Sequence, residues 1–182
     1  MCGGRGTRLE ADVEKPLFTV DDVPMIDRIR RALADSPIEN SYAVVSPNAP
    51  QTRDHVAAFL PTIETAGDGY VDDLQTALAH EKIDPPVLTT AADLPLLDGD
   101  AIDQLLAAHS GGSLTACVPA SLKRQLGLCP ESTFDHDGRM VVPAGINIVD
   151  PGGEDSVYLT HDVRFAVNVN RRFDATVAED LL

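Results

Sequence analysis

The first fifteen residues hold the groups most able to grip a polyphosphate. Gly3, Gly4 and Gly6 fall within four positions, and glycines so spaced let the backbone take positive φ and approach a ligand closely. Successive N–H groups in such a turn form an anion-binding nest, and Thr7, Arg5, Arg8 and Lys15 add donors and positive charge. The loop is not a P-loop, which ends in Gly-Lys-Ser/Thr after a longer spacing. Nor is it a dinucleotide fingerprint, since no acidic ribose partner follows a predicted strand in the usual place. Taken alone, Gly-Gly-x-Gly also fits an ordinary flexible turn.

Asp93 is the second candidate. It follows the apolar run 87–92 and precedes Leu94-Pro95. Ligands of open α/β sheets bind at the carboxyl ends of strands, and a carboxylate there can hold Mg²⁺, which takes one or two carboxylates together with phosphates and water. A turn or helix-capping aspartate is the competing reading. Asn168 and Asn170, in Val-Asn-Val-Asn, offer amides to phosphate or to the same metal shell, unless they only end a strand; Asp162 is a weaker candidate for that shell. Gly67-Asp68-Gly69-Tyr70 places a glycine turn before a helix, where backbone groups at Gly67, Gly69 and Tyr70 could meet a ribose or a purine edge, with a plain loop as the rival. The five histidines have no metal-ligand spacing, and Asp135-His136-Asp137-Gly138 reads as a polar hairpin turn. Cys2 lacks a nearby histidine in sequence and is given no nucleophilic role.

These residues need a scaffold, and the chain alternates strand and helix signals in the manner of an α/β fold with a mostly parallel sheet. Helices are predicted over 24–33, from a Thr52 cap to 59, over 70–79, over 100–109, and from Phe173 onward. Strands are predicted over 42–45, around Ile63, over 87–92, 114–118, 140–142, 146–149 and 165–169, while 120–133 looks irregular. A phosphate loop of this type is normally held by the strand before it, yet here the loop starts at residue two. The expectation is that the sheet's first strand is missing, and that the natural protein begins several residues upstream.

With 182 residues, the chain is expected to form one domain over 1–182. Its 14 basic and 29 acidic residues give a net charge of −15, which argues against nucleic acid as a partner. Only Lys15, Lys82 and Lys123 are lysines; low lysine with abundant aspartate points to a halophilic source. Three cysteines without a CxxC pair read as reduced thiols, and no apolar stretch approaches the roughly 20 residues of a membrane span, so the expected location is the cytoplasm.

The run Gly-Gly-Arg-Gly-Thr-Arg-Leu, followed by Glu14-Lys15-Pro16-Leu17 and by Asp93-Leu94-Pro95, resembles nucleotidyltransferases that attach a nucleoside monophosphate to a phosphorylated acceptor. Ser46-Pro47-Asn48-Ala49-Pro50, residues 67–74 and Pro143-Ala144-Gly145-Ile146-Asn147 narrow the likeness to the archaeal GTP:adenosylcobinamide-phosphate guanylyltransferases of the MobA-like NTP transferase superfamily. The resemblance implies a Rossmann-like three-layer nucleotidyltransferase fold, the nucleotide-diphospho-sugar transferase type. It implies transfer of GMP from GTP to adenosylcobinamide phosphate in adenosylcobalamin biosynthesis or salvage, with Mg²⁺. Arg8, Lys15 and Asp93 would be catalytic; Gly3, Gly4, Arg5, Gly6, Thr7, Gly67, Gly69 and Tyr70 would bind nucleotide. Gly145 and Asn147 would face the acceptor, and Asp93 with Asn168 would hold the metal. Gly145 could equally serve a strand bulge. The alternatives are a molybdenum-cofactor or sugar-phosphate nucleotidyltransferase and, in another class, a non-catalytic GTP-binding module. A homodimer is left open.

Overall fold

The computed structural model describes residues 1–2, 9 and 11–182; the loop residues Gly3, Gly4, Arg5, Gly6, Thr7 and Arg8 lie outside the described residues. The first elements given by the described residues are a 3-10 turn, Lys15–Leu17, and the short antiparallel pair β1 (Thr19–Val20) and β2 (Val23–Pro24). Then come α1 (Met25–Ala34), β3 (Ala43–Val45), α2 (Pro50–Val56), β4 (Thr62–Glu64), α3 (Tyr70–Leu78) and β5 (Val87–Thr90). They are followed by α4 (Gly99–Ala108), β6 (Leu114–Pro119), α5 (Ala120–Gln125), β7 (Phe134–His136), β8 (Arg139–Val149), β9 (Ser156–Leu159) and α6 (Arg172–Asp180).

Strands β3 and β4 pair in parallel. In the larger sheet β5, β6, β7 and β9 share one direction, and the long β8 runs against its neighbours β5, β6 and β7. Most strands therefore point the same way, as the α/β reading requires, around one reversed strand. Met1 and Cys2 stand between the two sheets: the amino terminus donates to Thr90 O (2.9 Å) and Cys2 N to Val44 O (2.9 Å). A cleft of about 490 Å³, walled by Tyr42, Val44, Val87 and Leu88, opens beyond Met1 and holds none of the candidate residues.

Apolar spacing explains how the helices seat. Ile29 and Ala32 of α1 meet Ala101, Ile102 and Leu105 of α4 over the inward residues of β6 and β8, all buried. Alternation along β6 and β8 puts Ala116, Val118, Val142, Ala144, Ile146 and Ile148 into that core. A second cluster joins Ala175 and Ala178 of α6 to Val167 and Val169, which flank Asn168. Burial of those two valines fixes the backbone from which Asn168 and Asn170 project.

Several predicted elements change. Residues 140–142 and 146–149 belong to one strand, β8, because Pro143 and Gly145 are absorbed by a register shift opposite Thr115–Cys117. The strand expected over 165–169 is instead a 3-10 turn, Val163–Phe165, and an extended segment; its apolar residues are buried by packing and do not pair in a sheet. Residues 120–125 form α5, too short for periodicity to announce it. β9 gave no recognised signal and is found by its parallel pairing to β6. Thr52 is not the cap of α2: Pro50 starts the helix, and the Glu14 carboxylate accepts from Gln51 N (2.9 Å) and Thr52 N (2.7 Å). The β7–β8 connection is the expected hairpin, with Asp137 and Gly138 both at positive φ (51° and 74°).

Candidate functional site

Lys15 and Asp93, 78 residues apart in sequence, meet as an ion pair with Nζ–Oδ2 2.6 Å. Each is placed by its own element. Glu14, clamped to the start of α2, holds the turn that carries Lys15. Asp93 leaves the carboxyl end of β5, and its backbone oxygen accepts from Val169 N (2.9 Å), tying it to the segment that carries the asparagines. Asn170 Oδ1 accepts a second bond from Lys15 Nζ (2.7 Å), while Asn168 Nδ2 donates to Asp93 Oδ1 (3.1 Å) and to Ala144 O (2.8 Å). Asp174 accepts from the N–H groups of Asn170 and Arg171, so the start of α6 fixes the second asparagine.

Two cavities meet here. One, about 490 Å³, is lined by Lys15, Asn48, Gly67, Gly69, Tyr70 and Asp93, among others. The other, about 330 Å³, is lined by Lys123, Pro143, Gly145, Asn168, Asn170 and Arg171, among others. Tyr70, Ala91 and Asp93 border both. Asp93 therefore stands where the two cavities adjoin.

The wall of the larger cavity is built around Gly67. Its φ is +78°, and a Cβ there would lie 2.5 Å from Asn48 Nδ2. Asn48 donates to Gly67 O (3.0 Å), and Gly67 N donates to the buried Asp73 carboxylate (3.0 Å). Asp73 thereby ties the glycine turn to the first turn of α3. Gly145, φ +86°, lets β8 pass close to Ala91 and Asn168, which an added Cβ would meet at 3.4 and 3.5 Å. The backbone bond from Ala91 N to Gly145 O (2.8 Å) closes that approach.

The structure thus draws Lys15, Asp93, Asn168, Gly67, Gly69, Tyr70 and Gly145 to one region, and leaves Asn147 out. Asn147 sits within β8, opposite Thr89 and Thr115, and lines neither cavity. Asp162 is also elsewhere: Arg164 grips it at 2.6–3.1 Å and bridges to Asp98 and Asp100. Burial alone would raise the Asp162 carboxyl, but the hydrogen bonds and charge of Arg164 hold it below the usual carboxylate range. Arg8, Gly3, Gly4, Arg5, Gly6 and Thr7 lie outside the described residues.

Sequence reasoning missed Lys123, Asn48 and Asp73. Lys123 is only 5% exposed, and its Nζ donates to Asn168 Oδ1 (2.8 Å). Burial lowers its pKa, opposed chiefly by the charge of Asp93. The signal was its rarity: two of the chain's three lysines reach the Asp93 network. Asn48 follows a strand's carboxyl end, where ligand contacts concentrate.

The donors fit a hard divalent cation shared with a substrate. Asp93 supplies one carboxylate and Asn170 Oδ1 an amide oxygen nearby, whereas Asn168, expected as a ligand, turns its NH₂ to Asp93 and its oxygen to Lys123 and so has no free acceptor for the ion. Among the described residues, no group of three or more His, Cys, Asp or Glu side chains could cage a metal alone. One carboxylate is the pattern of Mg²⁺ bound mainly through phosphates.

The family profile described as "MobA-like NTP transferase domain" matches residues 1–144. The chain belongs to the MobA-like NTP transferases. It is 29% identical to the adenosylcobinamide-phosphate guanylyltransferase of Methanocaldococcus jannaschii, in an alignment covering 100% of this chain and 95% of that protein. It is 30% identical to the bifunctional protein GlmU of Neisseria gonorrhoeae, over 66% of this chain and 27% of that one. Among solved structures, a candidate glucose-1-phosphate thymidylyltransferase from Bacillus anthracis superposes with TM-score 0.67 at 13% identity, covering 99% and 92% of the two chains. A CMP:2-keto-3-deoxy-manno-octonic acid synthetase complexed with CTP gives TM-score 0.54 at 17% identity, over 75% and 67%. The fold is that of the nucleotidyltransferases, and the chain is a nucleotidyltransferase of this family. Among the described residues no helix is long and apolar enough to cross a membrane.

Proposed function

We propose that this MobA-like transferase moves GMP from GTP to adenosylcobinamide phosphate, giving adenosylcobinamide-GDP and pyrophosphate. The observation that carries the reading is the Lys15–Asp93 pair standing where the two cavities meet. Likeness to the M. jannaschii guanylyltransferase over 95% of its length supports the choice of acceptor.

An oxygen of the acceptor phosphate forms a bond to the α-phosphorus of GTP, and the α–β bridging bond breaks, its electron pair leaving with pyrophosphate. The acceptor is a phosphate monoester whose second pKa near ~6 leaves it ionised at neutral pH. It therefore needs no general base, in keeping with two cavities that no histidine lines among the described residues.

What the reaction needs is neutralised charge, because one anion must approach another. GTP lies in the larger cavity, its base and ribose along Gly67, Gly69 and Tyr70, and its phosphates toward Lys15. The acceptor enters the smaller cavity past Gly145, and its phosphate reaches Asp93 from the other side. Lys15 leaves Asp93 for the phosphates and stabilises the charge that develops as pyrophosphate departs. Asp93 would hold Mg²⁺, with Asn170 Oδ1 the amide oxygen nearest to it once Lys15 departs, and the ion would supply further neutralisation at the phosphates. Asn168, its NH₂ on Asp93 and its oxygen on Lys123, orients the carboxylate and is not a ligand.

The test is incubation of the protein in high KCl with Mg²⁺, GTP and adenosylcobinamide phosphate, followed by mass spectrometry. Adenosylcobinamide-GDP is the expected product. GTP binding with no product would move the acceptor to a molybdopterin or sugar phosphate, and binding with no pyrophosphate release from any acceptor would leave a nucleotide-binding module.

A further inference from the structure

Asn168 is held at both ends of its amide. Oδ1 accepts from Lys123 Nζ (2.8 Å), while Nδ2 donates to Asp93 Oδ1 (3.1 Å) and Ala144 O (2.8 Å). An ammonium has only donors, whereas a carboxylate and a backbone carbonyl only accept. One orientation of the amide satisfies all three partners. The flipped orientation sets NH₂ against NH₃⁺ and an oxygen against two oxygens. Without Lys123 nothing described would reward Oδ1 on that side, and the amide would lose half of what orients it.

The consequence reaches Asp93. Asn168 holds one of its oxygens and Lys15 the other, so the carboxylate plane is set from both sides. Lys15 must let go for the phosphates under the reading above, and Asn168 is then what keeps Asp93 aimed. Lys123 reaches this point from α5, a different element from those that carry Lys15 and Asp93, and is almost wholly buried. Its Nζ sits against Asn168 on the side of the smaller cavity.

We propose that Lys123 is a positioning residue of the transfer site, which fixes Asn168 in the one orientation that holds Asp93 in register when Lys15 departs. The proposal rests on the reading of Asp93 given under Proposed function. The test uses K123M, which keeps the apolar stem and removes the donor, with N168A and the double variant. K123M is expected to lower kcat by about 10- to 100-fold, the scale for losing a group that orients a functional carboxylate, with KM for GTP nearly unchanged. In the N168A background the same change should cost nothing more, because the lysine acts through the asparagine. Multiplicative losses in the double variant would overturn the proposal.

A second readout does not need turnover. The Asn168 side-chain NH₂ resonances, assigned by their loss in N168A, should move toward free-amide positions and exchange faster with water in K123M. Unchanged resonances would overturn the proposal even if the wild-type chain released no pyrophosphate, an outcome that would sink the transfer reading by itself. Should K123M fail to fold, K123Q takes its place, since its side chain is one bond shorter and stops short of Asn168 Oδ1.

Discussion

Replacing Lys15 by methionine should move two measurements in opposite directions. In the unliganded protein Lys15 bonds Asp93 Oδ2 at 2.6 Å and Asn170 Oδ1 at 2.7 Å, with the paired side chains 17% and 15% exposed. Methionine keeps the stem and removes both bonds. Losing a charge-assisted hydrogen bond costs ~1.5–3 kcal/mol; the open cavity beside Asp93 lets water replace part of it, so about 1.5–2 kcal/mol is expected. For a chain of this size that lowers Tm by roughly 3–8 °C. Turnover should fall further, by about 10²- to 10³-fold, the usual effect of removing one preorganised electrostatic donor.

Metal binding should instead tighten. With Lys15 gone, Asp93 Oδ2 no longer carries a competing cation. Two unit charges 4 Å apart exchange ~4 kcal/mol at an effective dielectric of 20; a third of that, after screening by cavity water, is about tenfold in affinity. Manganese titration followed by electron paramagnetic resonance, beside steady-state pyrophosphate release, reads both effects. A variant that binds manganese more weakly while losing turnover would refute the idea that Lys15 occupies the metal's place. Unchanged turnover would remove Lys15 from the mechanism.

G67A should lose ~1–3 kcal/mol in denaturant unfolding, because a non-glycine residue at φ +78° is strained and its Cβ would lie 2.5 Å from Asn48 Nδ2. GTP affinity should drop with it, measured by calorimetry. Burial pushes the Cys117 thiol up to about 11, from 9.0. The unfolded chain then releases this proton before the folded one, so stability is intact below pH 9 and falls between pH 9 and 11, by at most about 3 kcal/mol. C117A should flatten that limb of the unfolding curve. With a net charge of −15, the thermal midpoint should rise from low salt to molar KCl, and a flat response would remove the halophilic reading.

The sequence made some of this site legible and hid the rest for identifiable reasons. Asp93 could be read because an apolar run ended at a carboxylate before Leu-Pro, and a strand's carboxyl end is where α/β sheets bind ligands. Gly67 and Gly69 could be read because glycines preceded a helix. Residues 165–169 misled, since burial by packing and burial by sheet pairing leave the same apolar signature. Pro143 and Gly145 split β8 in the sequence because a bulge tolerates what regular pairing excludes. Lys123 was hidden by position: it lies on a six-residue helix inside a stretch that looked irregular, and nothing near it in sequence marks its partner 45 residues away.

The same geometry explains why the misread segment matters most. A strand over 165–169 would show the same alternation of side chains but would have committed the backbone to ladder pairing in a sheet. In the extended segment after the 3-10 turn, Val167 and Val169 are wholly buried, while Asn168 and Asn170 both turn toward Asp93 and Lys15. One backbone bond, Val169 N to Asp93 O, locks this segment to the end of β5. The segment therefore uses its apolar residues as anchors and its amides to set the lysine–aspartate pair. Replacing Val167 by alanine should loosen both amides at once, costing about 1–3 kcal/mol of stability for the lost methyl groups and their cavity. Turnover should fall beyond what that stability loss explains. A V167A protein with lowered Tm but unchanged kcat would show that the two asparagines do not depend on this anchor.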